Sequence, residues 1–182
     1  MSQPTKRKSH TTNPTDEKDK EMKNINLYKN ILDKASAHYL SQQLLDKNFP
    51  WFFLSNSALG GFKDDLTYSW YHLLYDKKVP NSRWYSVFEL SIKKIIEAFD
   101  LKGELLRARL GLHTSMNKKM IGTPHRDNDD KHYAILYYLN TSDGETFFYK
   151  DKKLFKTITP LFNSAVMFDG SIYHSSSKPI KT

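Results

Sequence analysis

One stretch decides the fold of this chain: His132-Tyr-Ala-Ile-Leu-Tyr-Tyr-Leu-Asn140, which is apolar at odd and even positions alike. Successive side chains of a β-strand point to opposite faces, so a strand with this pattern has to be covered on both sides. We therefore predict an interior strand here, with a second layer packed against its sheet.

Other elements follow from the pattern on either side of this strand. Two amphipathic helices are predicted first, over residues 27–45 and from a capping box at Ser86 and Glu89 to about Lys102-Gly103. Short β-rich runs follow, separated by polar turns, at residues 105–114, 145–150, 154–160 and 164–169. Helices followed by a compact set of strands predict a mainly β fold with flanking α-helices, a small jelly-roll or β-barrel with the helices outside one sheet.

The length of 182 residues allows one domain. Residues 1–24 are polar and basic and lack the apolar residues that a core needs, so we predict a disordered tail followed by one domain over residues 25–182. Within that domain we expect a helical part at 25–103 and the β core at 104–182. No stretch reaches the length of a membrane span, and we expect a cytoplasmic protein.

The net charge of +8 favours anionic partners. The positive charges are spread along the chain without a long run or an interleaved arginine and aromatic ladder. Binding to nucleic acid is therefore open but has no specific support in the sequence.

The chain has no cysteine, so a metal would have to be bound by histidine and carboxylate side chains. The segment Gly122-Thr-Pro-His125-Arg-Asp127 places an imidazole and a carboxylate on one face of an extended chain. His174, after the apolar run 164–169, adds a second imidazole near the end of another strand. Two histidines and one carboxylate form the facial triad of non-haem iron(II) sites, so we predict that His125, Asp127 and His174 are metal ligands and the catalytic centre.

Motifs of other enzyme classes are absent from the sequence. It contains no H-E-x-x-H helix, no G-x-S-x-G elbow, no glycine-rich phosphate loop and no EF-hand spacing. A cupin with a different metal set stays a weaker alternative.

Four motifs in this order resemble the prolyl-4-hydroxylase-like branch of the Fe(II)- and 2-oxoglutarate-dependent dioxygenases: His125-Arg-Asp127, Tyr137-Tyr-Leu-Asn140, Asp143-Gly-Glu-Thr-Phe-Phe148 and Phe168-Asp-Gly-Ser-Ile-Tyr-His174. Within that branch, the run 140–146 and Phe49-Pro-Trp-Phe-Phe53 are most similar to short oxygenases of marine tailed phages, which would place the protein in the cytoplasm of a host cell.

This resemblance implies a double-stranded β-helix core of the jelly-roll or cupin-like kind. It implies Fe(II), 2-oxoglutarate and dioxygen as cofactors, with ascorbate as an optional one, and hydroxylation of a substrate with release of succinate and CO2. Tyr138 matches the family tyrosine that contacts the distal carboxylate of 2-oxoglutarate, and Leu136 shares its inward face. The substrate, a peptidyl residue such as proline or a small molecule, stays open.

The sequence departs from the family after His174. Members anchor 2-oxoglutarate with an Arg or Lys in a final strand about nine or more residues later, whereas only Lys178 and Lys181 follow here. We expect Lys181 to substitute, and we expect a truncated chain whose open sheet edge binds partners or a second copy. The alternative function is a jelly-roll binding or structural module with impaired catalysis.

Four further side chains near these motifs are candidates for smaller roles. Arg107 and Arg109 share a strand face and could reach an anionic substrate, although strand arginines usually extend to water. His113 and His132 do not fit the ligand pattern and are expected in the core or at the surface.

Overall fold

The computed structural model describes residues 25–55 and 68–181. The predicted tail at residues 1–24 lies outside the described residues. The described helices and strands are β1 (Tyr28–Lys29), α1 (Lys34–Leu45), β2 (Phe52–Leu54), β3 (Ser69–Asp76), β4 (Val79–Pro80), α2 (Tyr85–Glu97), β5 (Arg107–Leu112), β6 (Tyr133–Tyr138), β7 (Thr146–Lys150), β8 (Lys153–Ile158), β9 (Ser164–Asp169) and β10 (Tyr173–Ser176).

The strands form three antiparallel sheets. In the first, β3 pairs with β2 and β4 and also with β5. The second has the order β1-β9-β6, and the third has the order β10-β7-β8. This is the predicted mainly β fold with a double-stranded β-helix core.

Two apolar clusters hold these layers together. One lies between the helices and the sheets, where Leu40 of α1, Leu74 of β3 and Phe88 of α2 are buried. The other fills the space between the second and third sheets, where the ring of Phe148 of β7 packs against that of Phe168 of β9. The helices therefore cover the outer side of the sheets, as predicted, and the interior of the β-helix has its own core.

Strand β6 contributes to both clusters. Ile135 and Tyr137 pack against the cluster next to the helices, while Leu136 and Tyr138 pack against the one inside the β-helix. The prediction that both faces of this strand are covered is confirmed. The prediction that β6 is an interior strand of its sheet is not confirmed, because β6 pairs with β9 alone among the described strands.

Each of the two helices has one end that differs from the prediction. Helix α1 begins at Lys34 and not at Leu27, because the Asp33 side chain accepts a hydrogen bond from the Ser36 N–H and caps the helix there. Helix α2 ends at Glu97, well before Lys102.

The predicted capping box of α2 is absent. The Ser86 hydroxyl donates to the Arg83 carbonyl, and Glu89 pairs with Lys93. Residues 25–103 contain both helices but also strands β1 to β4, so that part is not simply helical. None of the described helices is long and apolar enough to cross a membrane.

Candidate metal centre

His125 and His174 lie opposite one another on neighbouring extended segments. Each backbone N–H donates to the carbonyl of the other at 2.9 Å, and the two rings are 4.8 Å apart between centroids. Directly opposed residues of an antiparallel pair have their side chains on the same face. These histidines are 49 positions apart in the sequence, and the antiparallel bridge between residue 125 and residue 174 of β10 brings them together.

Asp127 joins them from the same segment as His125. Its Oδ2 lies 3.4 Å from Nε2 of His174, and one ligand atom from each of the three residues lies within 4.8 Å of the other two. Metal bonds of about 2.1 Å to nitrogen and oxygen put neighbouring ligand atoms about 3 Å apart, so a bound ion would draw these three atoms closer by up to about 2 Å. The structure thus brings the three predicted ligands together.

The outer nitrogens of both rings are occupied by backbone carbonyls. Nδ1 of His125 lies 3.0 Å from the Thr123 carbonyl, and Nδ1 of His174 lies 3.3 Å from that of Ile172. A carbonyl only accepts, so in the neutral ring Nδ1 carries the hydrogen and Nε2 has a lone pair. Nε2 of His174 then faces an oxygen of Asp127, an arrangement of two acceptors that a cation between them would stabilise.

The protonation states suit a metal site as well. Burial lowers the pKa of His125, which favours the neutral, ligating form of the ring. Burial alone would raise the pKa of Asp127. A hydrogen bond from Nε2 of His174, when that nitrogen carries a proton, and the guanidiniums of Arg109 and Arg107 outweigh burial and hold this pKa well below its usual range. Asp127 is therefore a carboxylate at any pH at which the protein would work.

Arg107 and Arg109 are part of this centre. The Arg107 guanidinium donates to the Asp127 carbonyl at 3.2 Å and lies 3.3 Å from its Oδ1, and that of Arg109 lies 3.8 Å from the same oxygen. Sequence reasoning proposed contact with an anionic substrate and missed this pairing, which joins residues 18 to 20 positions apart. The pairing with the two guanidiniums fixes the Asp127 carboxylate in place and neutralises part of its charge.

Aromatic side chains pack behind the centre. The His174 ring lies 5.0 Å from that of Phe168 and 6.4 Å from that of Phe148, and it is 6% exposed. These contacts fix the ring orientation and keep water from that side. In the sequence, the apolar character of residues 147, 148 and 168 indicates that they are buried. It does not show which of the predicted ligands they would contact.

A cavity of about 1610 Å³ opens onto the three predicted ligands. Tyr138, Thr146 and Leu136 line it, and the Tyr138 hydroxyl lies 2.9 Å from Oγ1 of Thr146. Burial raises the pKa of Tyr138 to about 12, so its hydroxyl stays protonated. Lys181 also lines the cavity but is exposed, and its backbone N–H donates to the Asp143 carboxylate.

His113 and His132 lie outside the ligand set. The Nδ1 atom of His132 is 2.7 Å from the Asp130 carbonyl, and this ring packs over Gly170. His113 is half-buried and lines the cavity, and burial together with the nearby charge of Lys178 lowers its pKa to about 4.

Solved structures with a similar fold belong to oxygenases. A protein from Burkholderia pseudomallei, described as an oxidoreductase of the 2OG-Fe(II) oxygenase family, has a TM-score of 0.65 at 11% identity, over 93% of this chain and 86% of its own. A prolyl hydroxylase from Trichoplax adhaerens, solved with a peptide fragment of the hypoxia inducible factor oxygen degradation domain, has a TM-score of 0.58 at 12% identity, over 92% of both chains. At these identities the likeness is one of fold. No protein-family model and no curated protein matches the sequence.

Proposed function

We propose that this protein is an Fe(II)- and 2-oxoglutarate-dependent dioxygenase that hydroxylates its substrate and releases succinate and CO2. The observation that carries the proposal is the convergence of His125, Asp127 and His174, whose ligand atoms lie within 4.8 Å of one another at the wall of a large cavity. Bound iron(II) would supply the oxidative chemistry, with three coordination positions left open by a facial triad. The fold shared with oxygenases of known structure supports the same reading.

The residues of the chain would hold and orient these groups. The carbonyls of residues 123 and 172 accept from Nδ1 of the two imidazoles and would leave Nε2 of each ring to bind the ion, while Arg107 would keep the Asp127 carboxylate in position. The apolar rings behind His174 exclude water on one side of the centre.

We further propose that the distal carboxylate of 2-oxoglutarate is held by neutral hydroxyls and by one lysine. The hydroxyls of Tyr138 and Thr146 meet on the inner side of the cavity, and Leu136 packs beside them on the same face. Lys181 at the cavity wall would add a positive charge that these hydroxyls lack.

The first substrate class to test is a peptidyl residue such as proline. Support comes from the Trichoplax adhaerens prolyl hydroxylase of similar fold, which was solved with a peptide fragment. Small molecules stay a second class, because a shared fold does not transfer a substrate.

Succinate release tests the proposal without a known substrate. The protein is loaded with iron(II) and supplied with 2-oxoglutarate, dioxygen and ascorbate, and succinate is measured over time. We expect iron-dependent succinate formation that falls at least about a hundredfold in His174→Ala, whereas His132→Ala, which removes a histidine outside the ligand set, keeps it. Iron binding without succinate from the folded protein would instead favour a binding module.

A further inference from the structure

Arg109 is less engaged with Asp127 than Arg107 is. The Arg109 guanidinium lies 3.8 Å from Oδ1 of Asp127, which is beyond hydrogen-bonding distance. Arg107 lies closer to the same oxygen, at 3.3 Å, and also donates to the Asp127 carbonyl. Within residues 25–55 and 68–181, no group accepts a hydrogen bond from the Arg109 guanidinium. Arg109 therefore contributes charge beside Asp127, while its hydrogen-bond donors stay unused in this part of the chain.

The charges around Asp127 do not balance. Its single carboxylate faces two guanidiniums on the side of Oδ1, while Oδ2 faces Nε2 of His174 on the side of the proposed ion. A cation bound to Oδ2 would leave less of the negative charge for the two arginines. The side chains of Arg107 and Arg109 are each 33% exposed, so water screens the imbalance only in part. The cavity wall next to Asp127 therefore favours one further negative charge.

Strand β5 leaves room for a ligand next to Arg109. Ala108 and Leu110 pack against the cluster next to the helices, so Arg109 and Gly111 lie on the opposite face of the strand. Arg109 approaches Asp127 on that face, which is therefore the one directed to the metal centre. A Cβ added at Gly111 would meet no atom of the described residues within 4 Å. Open space thus adjoins the guanidinium on the same strand face, and both residues line the cavity.

We propose that Arg109 binds a carboxylate of the substrate in the open space next to Gly111, beside the metal centre. That the carboxylate belongs to a substrate rests on the proposed oxygenase function, whereas its binding does not. A carboxylate fits the fork of a guanidinium and carries the one negative charge that the wall lacks. A phosphate carries nearly two at neutral pH and would leave negative charge facing Asp127. The substrate class is therefore an amino acid, a peptide C-terminus or an acidic side chain.

Matched carboxylates and carboxamides provide the probes. N-acetylalanine has a free α-carboxylate and the α-amide of N-acetylglutamate has a side-chain carboxylate, and the amide of each is a neutral molecule of nearly the same shape. Binding to the metal-free full chain is measured by two-dimensional NMR, in which the backbone amides of β5 and the Nε–H of Arg109 locate the contact. Neither metal nor cosubstrate is present, so the outcome is independent of the oxygenase chemistry.

We expect the carboxylates to bind at least about tenfold more tightly than the carboxamides and to shift the amides of β5 but not those of β8. Arg109→Gln should remove this preference. Arg83→Gln, the same change at an exposed arginine outside the cavity wall, should keep it. Gly111→Val fills the open space without changing any charge, suits a strand, and should also weaken carboxylate binding at least about tenfold.

A second measurement separates the substrate from the cosubstrate, which also carries carboxylates. The affinity of the iron(II)-loaded protein for 2-oxoglutarate is determined by equilibrium dialysis without oxygen. Arg109→Gln should leave this affinity within about threefold of the wild-type value, because the proposed cosubstrate contacts are at Tyr138 and Thr146.

Three results would overturn the proposal. One is equal binding of carboxylates and carboxamides to the wild-type chain at up to about ten millimolar, a comparison that does not depend on how any variant folds. Another is tighter binding of inorganic phosphate than of the carboxylates at Arg109, which would assign the site to a phosphorylated ligand. The third is a loss of 2-oxoglutarate affinity of at least about tenfold in Arg109→Gln, which would assign the guanidinium to the cosubstrate. Wild-type protein that binds the carboxylates but no 2-oxoglutarate would instead overturn the oxygenase proposal and leave the carboxylate site in place.

Discussion

His113 is predicted to make the stability of this protein depend on pH between about 5 and 7.5. The ring is half-buried in the cavity wall at the end of β5, where burial disfavours its charged form and the ammonium of Lys178 adds repulsion. The Ser177 carbonyl accepts a hydrogen bond from the ring, which offsets only part of this effect. The net result is a pKa of about 4 in the folded chain against an ordinary value of 6.5.

The sign and size follow from proton linkage. The unfolded chain binds a proton at His113 below pH 6.5 and the folded chain only near pH 4, so the stabilising contribution is complete above 6.5 and is lost as the pH falls toward 4. The difference between the pKa values of His113 in the unfolded and folded chain corresponds to about 3 kcal/mol of unfolding free energy. About 2 kcal/mol of this is lost when the pH falls from about 7.5 to 5.

Urea unfolding of wild type and His113→Gln at these two pH values measures the effect. Glutamine has no titrating ring, so the wild type should lose about 2 kcal/mol more than the variant on acidification. The comparison cancels the shared contribution of His125, whose pKa is also lowered. If both proteins lose the same free energy, His113 is not held neutral by its surroundings and the reasoning is refuted.

Three substitutions test other parts of the structure. Tyr138→Phe should raise the KM for 2-oxoglutarate about tenfold while costing about 1 kcal/mol in urea unfolding, and an unchanged KM would exclude its hydroxyl from the cosubstrate site. Phe148→Ala should lose about 3–5 kcal/mol of unfolding free energy, since this ring is fully buried, against less than about 1 kcal/mol for the partly exposed Phe155→Ala; equal losses would contradict the assigned core. Asn163→Ala removes side-chain hydrogen bonds to the Leu32 N–H, the Leu32 carbonyl and the Tyr137 hydroxyl, and should cost about 3 kcal/mol by thermal or urea unfolding, whereas a loss below about 1 kcal/mol would contradict these bonds.

Much of the β core could be predicted because its strands carry long apolar runs between polar turns. The run 164–169 coincides with β9, and the run 132–140 contains β6. Strand β10 was missed because Tyr173-His-Ser-Ser176 is short and mostly polar, and its burial comes from the sheet around it. The local apolar pattern predicts strands that bury apolar side chains. It does not predict short polar strands that contribute mainly backbone hydrogen bonds to a sheet.

The errors at helix ends and at the arginines have a different cause. Leu27 continues the apolar spacing of α1, but it packs against the cluster inside the β-helix and lies next to β1. For Arg107 and Arg109 the sequence suggested contact with an anionic substrate or extension to water, because sequence spacing does not reveal a partner such as Asp127 on another segment. The grouping of His125, Asp127 and His174 was predictable, since the H-x-D spacing on an extended chain and a second histidine after a strand are both local signals.

Visible absorption of the anaerobic complex tests the central claim most directly. Iron(II) and 2-oxoglutarate added together to the folded protein should produce a metal-to-ligand charge-transfer band, because three clustered ligand side chains on one ion would leave coordination positions open for a chelating cosubstrate. His174→Ala should lose that band while remaining folded by circular dichroism. Wild-type protein that stays colourless at saturating iron and 2-oxoglutarate would contradict the assignment of residues 125, 127 and 174 to a common iron.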